Sequence, residues 1–215
     1  IIDSDDSIKI IREIMKDKGY DQKEYNPKTI HSIISNIKNL EPFVTKNIAL
    51  KSCVNTVMDE YNARLIKENL LDFDDLIAVT LDMLKEYPDL LEKYQNKFEY
   101  ILIDEFQDTN IIQYKLIKIL ANKRKNIFIV GDQDQSIYSF RGAKVGNIDL
   151  FLRDFKDTVQ ILLEQNYRST NPILRIANNV IANNQNRIKK NLFTNNDSKE
   201  MPTYYRTQSS YDEVM

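Results

Sequence analysis

Three short apolar runs set the strongest limit on the fold of this chain. They read EYILI at residues 99–103, IFIV at 127–130 and VQILL at 159–163. Helical apolar spacing over 110–122 separates the first two runs, and a shorter helical pattern over 147–156 precedes the third. Strands of this length that alternate with helices predict a parallel sheet covered on both faces.

The residues before the first run are mostly helical in pattern. Helices are predicted over 7–18, with Ser7 as the N-cap, and over 28–39 and 73–86. A further helix is predicted over 47–66, where one apolar stripe at helical spacing is formed by Val54, Val57, Met58, Tyr61 and Leu65. A mostly helical region is therefore expected ahead of the sheet.

Polar residues follow each predicted strand, and the clearest pair is Asp104 and Glu105. The other two groups are Gly131 with Asp132, and residues 164–166. Ligands of parallel sheets gather beyond the carboxyl ends of the strands. An aspartate there can hold Mg²⁺, and a neighbouring carboxylate can position and deprotonate a water. The alternative is that such acids are ordinary loop residues or helix caps.

A second candidate segment reads VGDQDQSIYSFRGA at residues 130–143. Gln135 has an amide that can bond a phosphate oxygen or a water. Tyr138 and Phe140 are aromatics two residues apart, followed by Arg141, and this combination suits single-stranded nucleic acid because bases stack on aromatic faces. The alternative is that both aromatics belong to a core. Three of the four glycines fall between 131 and 146, which indicates a loop with unusual backbone angles or close contacts.

A third segment reads LEQNYRST at residues 163–170. Arg168 in this segment could reach a γ-phosphate as an arginine finger, or it could be a surface arginine. His31 has no metal-binding partner in the sequence pattern and is interpreted as a packed or surface side chain. Cys53 lies next to the apolar stripe of its helix and is interpreted as a core residue.

The charge is unevenly distributed along the 215 residues, although the formal net charge is only −2. Residues 70–110 contain 3 basic and 11 acidic side chains, a net charge of −8, whereas residues 111–215 carry a net charge of +6. An acidic middle followed by a basic tail suits a cation site beside an anion-binding surface. No window has the length and apolarity of a membrane helix, and the single cysteine fits a reducing compartment, so a cytoplasmic protein is expected.

Taken in order and spacing, the segments DEFQDTN, GDQDQSIYSFRGA and LEQNYRST resemble superfamily 1 DNA helicases of the UvrD/Rep/PcrA type. LDFDDLI at residues 71–77 resembles a further segment of that family. Nuclease-helicase subunits of the AddA/RecB kind typically show GDPKQSIYRFR in the middle segment. The sequence GDQDQSIYSFR in this chain favours the UvrD branch.

The resemblance implies an α/β fold, with a partial RecA-like P-loop NTPase parallel sheet flanked by helices and preceded by a mostly helical insertion. It implies that residues 1–69 are the end of insertion 1B. Residues 70–163 would be the C-terminal half of motor domain 1A, and residues 164–215 would begin the second motor domain, 2A.

The resemblance also implies a role for each candidate residue. Asp104 would hold Mg²⁺, Glu105 would be the catalytic base, and Gln135 would sense the γ-phosphate and link it to the DNA site. Arg168 would be the arginine finger. Single-stranded DNA would be contacted by Tyr138, Phe140 and Arg141. Phe140 departs from the tryptophan that is frequent at this position, and its smaller ring is expected to stack less strongly. Gln107 and Asp108 are expected to support the site rather than to bind the ligand directly.

The function implied is an ATP-dependent 3′→5′ DNA helicase that couples ATP hydrolysis to translocation on single-stranded DNA and duplex unwinding, with DNA repair as the expected process and a role in replication or plasmid copying left open. Its cofactors would be ATP and Mg²⁺. Its partners would be single-stranded and duplex DNA and the remaining helicase domains of the same chain, with no membrane. The sequence contains no G-x-x-x-x-G-K-[ST] phosphate loop, so an internal fragment that is inactive alone is expected. The alternatives are a passive single-stranded DNA-binding module, part of an AddA/RecB-like subunit, or a purely structural domain.

Overall fold

Helices form most of the chain, and a small parallel sheet lies near its middle. The computed structural model describes residues 1–136, 146–184, 188–207 and 209. Two compact units are present, Ile1–Lys156 and Asp157–Met215. In chain order the elements are α1 (Ser4–Asp17), α2 (Pro27–Lys38), α3 (Ile48–Lys67), α4 (Asp75–Glu86), α5 (Pro88–Lys97), β1 (Ile101–Ile103), α6 (Ile111–Ala121), β2 (Ile127–Ile129), α7 (Asn147–Asp154) and α8 (Asn171–Ile181). The predicted α/β class is confirmed.

Helices α1, α2 and α3 pack around one apolar core, and we call these three helices the first helical cluster. The predicted stripe of α3 is confirmed, since Val54, Val57, Tyr61 and Leu65 are buried and Met58 packs against them. From α1 and α2 the core receives Ile10, Ile11, Ile14, Met15, Ile30 and Ile34. Cys53 is also fully buried, as predicted.

Helix α1 begins earlier than predicted. Asp3, not Ser7, is its N-cap, because the Asp3 carboxylate accepts the backbone N–H groups of Asp5 and Asp6 at 2.9 Å each. Ser7 lies inside the helix, where its hydroxyl donates to the Asp3 carbonyl at 2.8 Å. Asp3, Asp5 and Asp6 also interact favourably with the helix dipole at this end. Together these effects favour a helix start at Asp3 over a start at Ser7.

The sheet consists of β1 and β2 in parallel, with Ile101 opposite Ile127 and Ile103 opposite Ile129. All four isoleucines are half-buried, and Ile103, Ile127 and Ile129 pack against a cluster that contains Phe106, Tyr114 and Phe151. On the opposite face Leu102 is 73% exposed and Phe128 is 58% exposed. The prediction of cover on both faces is therefore wrong for the described residues, which cover one face only.

The predicted third strand at 159–163 is absent from the described residues. Its apolar side chains, Val159, Ile161 and Leu163, are exposed and pair with no named strand. Gln165 instead forms an isolated parallel bridge with Phe193, both in the second unit. An apolar run becomes a strand only where a neighbouring strand takes up its backbone hydrogen bonds, and the run cannot specify that neighbour.

Helices α5 and α8 are not predicted from the sequence. Helix α5 begins at Pro88, a favoured first helical position, and α8 has Pro172 in its first turn. Among the described residues no helix has the length and apolarity needed to cross a membrane.

Candidate functional site

The acidic loop, residues 104–110, leaves the carboxyl end of β1. Asp104 and Glu105 follow the last residue of β1, and Gly131 and Asp132 lie at the same edge beyond β2. The backbone pairing of the strands continues into the loop, because the N–H of Phe106 donates to the carbonyl of Val130 at 2.9 Å. The first two sets of predicted polar strand ends therefore meet at one edge of the sheet.

Glu105 has a left-handed backbone, with φ 49° and ψ 40°. Only a few per cent of non-glycine residues have positive φ, and conformations of this kind cost about 1–3 kcal/mol. The conformation is held from both sides. The N–H of Glu105 donates to Asp104 Oδ1 at 2.9 Å, and Glu105 Oε2 accepts Gln107 Nε2 at 2.8 Å. The carboxylate of Glu105 is thus oriented by its own loop while it stays exposed.

Gln107 connects the two strand ends. Its Nε2 donates to Glu105 after β1, and its Oε1 accepts the backbone N–H of Asp132 after β2 at 2.9 Å. The side chain is buried in the 3₁₀ turn Phe106–Asp108. Gln107 therefore supports the site through a specific bridge between the two strand ends. The sequence predicts a supporting role for Gln107 but not this bridge.

Gly131 allows this bridge to form. A Cβ on Gly131 would lie 2.9 Å from Gln107 Oε1 and 3.3 Å from the backbone nitrogens of Gln107 and Phe106. The glycine cluster in the sequence indicated a close approach of this kind, but the sequence did not show what approaches.

Gln135 lies in the 3₁₀ turn Gln133–Gln135, directly after β2, and its side chain is exposed. Its Nε2 donates to Asp132 Oδ2 at 2.8 Å. Glu105, Gln107, Asp132 and Gln135 consequently form one hydrogen-bonded series along the edge of the sheet. A carboxylate and an amide that both reach solvent at this edge are suited to contact one ligand from two sides.

Asp104 has the features that a magnesium ligand needs. Its Oδ1 accepts the N–H of Glu105, and no donor within the described residues bonds its Oδ2. Mg²⁺ keeps several waters and is bound through one or two carboxylates together with substrate phosphates, so a single exposed carboxylate fits it. No group of three or more metal-binding side chains occurs in residues 1–136, 146–184, 188–207 and 209.

Asp108 and Asn147 support the loop from beneath. Asn147, at the start of α7, donates from Nδ2 to both the carbonyl and the hydroxyl of Thr109. Asp108 Oδ1 and Asn147 Oδ1 are buried oxygens that have no hydrogen-bond donor within the described part of the chain. Buried acceptors without a donor are uncommon in proteins, and a water or a neighbouring group can fill such positions.

A second polar contact joins α6 to α7 below the sheet edge. Tyr114 donates its hydroxyl to Asp154 Oδ2 at 2.7 Å, and Lys118 donates to the same oxygen at 2.8 Å. Burial raises the pKa of Tyr114, and the Asp154 carboxylate raises it further. Hydrogen bonds from Lys118 and Tyr114 hold the pKa of Asp154 below its ordinary value. The helix that follows the acidic loop is therefore fixed by charge as well as by apolar contact.

Four further predicted site residues belong to other parts of the sequence. Arg168 belongs to the second unit, where its side chain is exposed and its N–H donates to Asn166 Oδ1 at 2.9 Å. Tyr138, Phe140 and Arg141 lie outside the described residues.

Comparison with protein families decides the assignment. The model of the UvrD/REP helicase N-terminal domain matches residues 1–156, and the model of the UvrD-like helicase C-terminal domain matches residues 161–215. The chain belongs to the UvrD/Rep helicase family. The resemblance found in the sequence is thereby confirmed, and the parallel sheet with its flanking helices is part of a RecA-like fold.

Relatives of this UvrD/Rep family member carry helicase names. An ATP-dependent DNA helicase PcrA of Bacillus subtilis is 45% identical over 218 residues, which cover 99% of the chain. A probable DNA helicase II homolog of Rickettsia felis is 48% identical over 193 residues, 87% of the chain. PcrA of Staphylococcus aureus is 44% identical over 221 residues and covers the whole chain. The chain spans about 30% of the length of each of these relatives.

Proposed function

We propose that this chain is part of an ATP-dependent helicase that moves 3′→5′ on single-stranded DNA and unwinds duplex DNA. The names of its relatives support ATP and DNA as ligands, and the polarity rests on the family resemblance alone. The structural observation that supports the proposal most is the Gln107 bridge. It joins Glu105 after β1 to Asp132 after β2, and so gives the sheet edge a fixed carboxylate beside the Gln135 segment.

In this proposal Glu105 positions the attacking water and accepts its proton. Gln107 keeps the Glu105 carboxylate in place during that transfer, and Asp104 holds Mg²⁺. A magnesium ion held there would neutralise charge on the phosphates. Gln135 donates a hydrogen bond from its amide to the γ-phosphate. Its bond to Asp132 then couples the presence of the γ-phosphate to the rest of the sheet edge. Arg168 acts as the arginine finger that stabilises the charge developing on the transferred group.

The DNA contacts and the domain boundaries are part of the same proposal. Tyr138, Phe140 and Arg141 are proposed to contact single-stranded DNA by stacking and by charge. Residues 1–69 are proposed as the end of the helical insertion, 70–163 as the second half of the first motor domain, and 164–215 as the beginning of the second motor domain.

Substitution of Glu105 by glutamine tests the assigned base in the full-length protein that contains this chain. In the Glu105→Gln variant the introduced amide retains an oxygen for Gln107 Nε2 but cannot accept a proton from water. We expect DNA-stimulated ATP hydrolysis to fall about 100-fold or more, since general-base catalysis contributes about 10²–10⁴-fold. ATP binding should remain. Turnover is measured by phosphate release at saturating ATP and single-stranded DNA.

Glu99→Gln is the matched control, because Glu99 is exposed just before the opposite end of β1. It should leave turnover unchanged. A Glu105→Gln protein that hydrolyses ATP at the wild-type rate would contradict the assigned base. In the same assay the isolated chain should show no turnover, because its sequence has no G-x-x-x-x-G-K-[ST] loop to bind the phosphates. Activity of the isolated chain that Glu105→Gln abolishes would refute that expectation.

A further inference from the structure

The junction between the acidic loop and α6 is fixed by Asn110. Asn110 Oδ1 accepts the backbone N–H of Gln113 at 3.0 Å, and Gln113 Oε1 accepts the N–H of Asn110 at 2.9 Å. This reciprocal pair is a capping box, and it satisfies two backbone donors at the helix N-terminus. The cap uses only the oxygen of the Asn110 amide, so the nitrogen remains available for another contact.

That nitrogen bonds a residue of the first helical cluster. Asn110 Nδ2 donates to Asn39 Oδ1 at 2.9 Å, across 71 residues of sequence. Asn39 is the C-cap residue of α2, and its own Nδ2 donates to the Ser35 carbonyl at 2.9 Å and to Asp74 Oδ1 at 2.7 Å. A carbonyl and a carboxylate only accept, so the orientation of both amides is determined by their partners.

The end of α2 is itself held by buried charges. Lys38 Nζ donates to Asp72 Oδ2 at 2.7 Å and to Asp75 Oδ1 at 2.8 Å. The side chains of Lys38, Asp72 and Asp75 are only 6%, 9% and 12% exposed. Tyr61 donates its hydroxyl to Asp72 Oδ2 at 2.9 Å. Asn39 therefore follows a helix end that several hydrogen bonds hold in place, so its side chain can hold Asn110 in a fixed position.

The other end of the contact is the acidic loop. The loop is fixed in the core by Phe106, which is fully buried, and at the sheet edge by the Gln107 bridge. Asn110, at the end of this loop, bonds the first helical cluster through Asn39. We propose that Asn39 and Asn110 are positioning residues, and that their hydrogen bond holds the start of α6 so that Glu105 keeps its catalytic orientation.

This inference rests on the proposed role of Glu105. Loss of a positioning contact disturbs alignment in the reaction more than it disturbs nucleotide binding. We therefore expect a lower kcat at an unchanged KM for ATP. A contact that served only the stability of the fold would change the melting temperature and leave the kcat of the folded protein intact.

Asn110→Asp separates the positioning contact from the helix cap. Aspartate caps helices as well as asparagine does, so the bond to Gln113 N is retained, but the donor to Asn39 is lost. Asn47→Asp is the matched control. Asn47 is the N-cap of α3, its side chain accepts from Leu50 N, and it is exposed. Both variants add one negative charge to a helix N-terminus, and only one of them removes the contact.

In the full-length protein we expect Asn110→Asp to lower kcat about tenfold with KM for ATP unchanged, because misplacement of a catalytic group has effects of this size or larger. Asn39→Ala should produce a similar loss, and the double variant should lose no more than the more impaired single variant. Wild-type kcat in Asn110→Asp, or losses that multiply in the double variant, would overturn the proposal. If wild-type protein is inactive or Glu105→Gln is fully active, the proposed function itself fails.

Hydrogen exchange of the nucleotide-free protein gives a result that does not depend on activity. The amide of Asp108 donates to the Glu105 carbonyl at 2.9 Å, and that of Thr109 donates to the Phe106 carbonyl at 3.2 Å. Both amides should exchange about tenfold faster in Asn110→Asp than in Asn47→Asp, because local opening becomes easier. Equal exchange in the two variants would show that the loop is held without the contact.

Discussion

Removal of the Lys38 charge is expected to destabilise the chain far more than removal of an exposed lysine. Lys38 lies between Asp72 and Asp75, and all three side chains are nearly inaccessible to water. Lys38→Met keeps the length and apolar stem of the side chain but deletes the ammonium group. The variant therefore leaves two carboxylates buried and without their cation.

Two estimates bound the loss in free energy of unfolding that is expected for Lys38→Met. Removal of one partner from a buried ion pair typically costs about 3–5 kcal/mol. Protonation of Asp72 provides an alternative state for the variant. From an ordinary pKa of 3.8, protonation at pH 7 costs about 4 kcal/mol. Tyr61 and the N–H of Asp75 still bond Asp72 and reduce the loss. We expect the free energy of unfolding to fall by about 3–4 kcal/mol at pH 7.

The destabilisation of Lys38→Met should also depend on pH. Protonation of a carboxylate from pKa 3.8 costs only about 1.6 kcal/mol at pH 5, so the deficit of Lys38→Met should shrink to about half or less. Urea unfolding followed by circular dichroism at 222 nm, at both pH values, measures it. Lys85→Met is the matched control, since Lys85 pairs with Asp82 at the surface, where pairs contribute about 0–1 kcal/mol. Equal losses in the two variants at pH 7, or no reduction at pH 5, would refute the reasoning.

Two further predictions concern the sheet edge and acid stability. Gly131→Ala should reduce the free energy of unfolding by about 1–2 kcal/mol, because the new Cβ displaces Gln107 from the Asp132 N–H. This loss outweighs the entropic gain of about 0.4–1 kcal/mol from replacing glycine. Urea unfolding that shows equal or greater stability in the variant would contradict the prediction. Burial of Asp72 raises its pKa, but the hydrogen bonds from Lys38, the Asp75 N–H and Tyr61 outweigh burial and leave the pKa below 3.8. The ionised Asp72 carboxylate therefore contributes its full stabilisation above pH 3.8, and this contribution is lost as the pH falls through the lowered pKa of Asp72. An acid titration followed by helicity should show a loss of stability in the wild type over this pH range and a smaller loss in Asp72→Asn.

Local patterns in the sequence identified the elements whose cause is local. The stripe on α3 is predicted because helical periodicity reflects which face of a helix is buried, and β1 and β2 are predicted because short continuous apolar runs favour strands. The run at 159–163 did not form a strand in the described structure, because a strand needs a partner that its own residues do not specify. The N-cap of α1 was misassigned because Ser7 and Asp3 are both suitable capping residues.

By itself the sequence determined the family of this chain, the acids after β1 and the helical character of its first part. These follow from residue types at short spacings. Only the tertiary structure decided that Gln107 bonds Asp132, 25 residues away, that Lys38 neutralises two buried aspartates, and that Asn39 bonds Asn110 across 71 residues. The physical reason is that a side-chain hydrogen bond depends on distances of about 3 Å, which only the packing of distant segments can set.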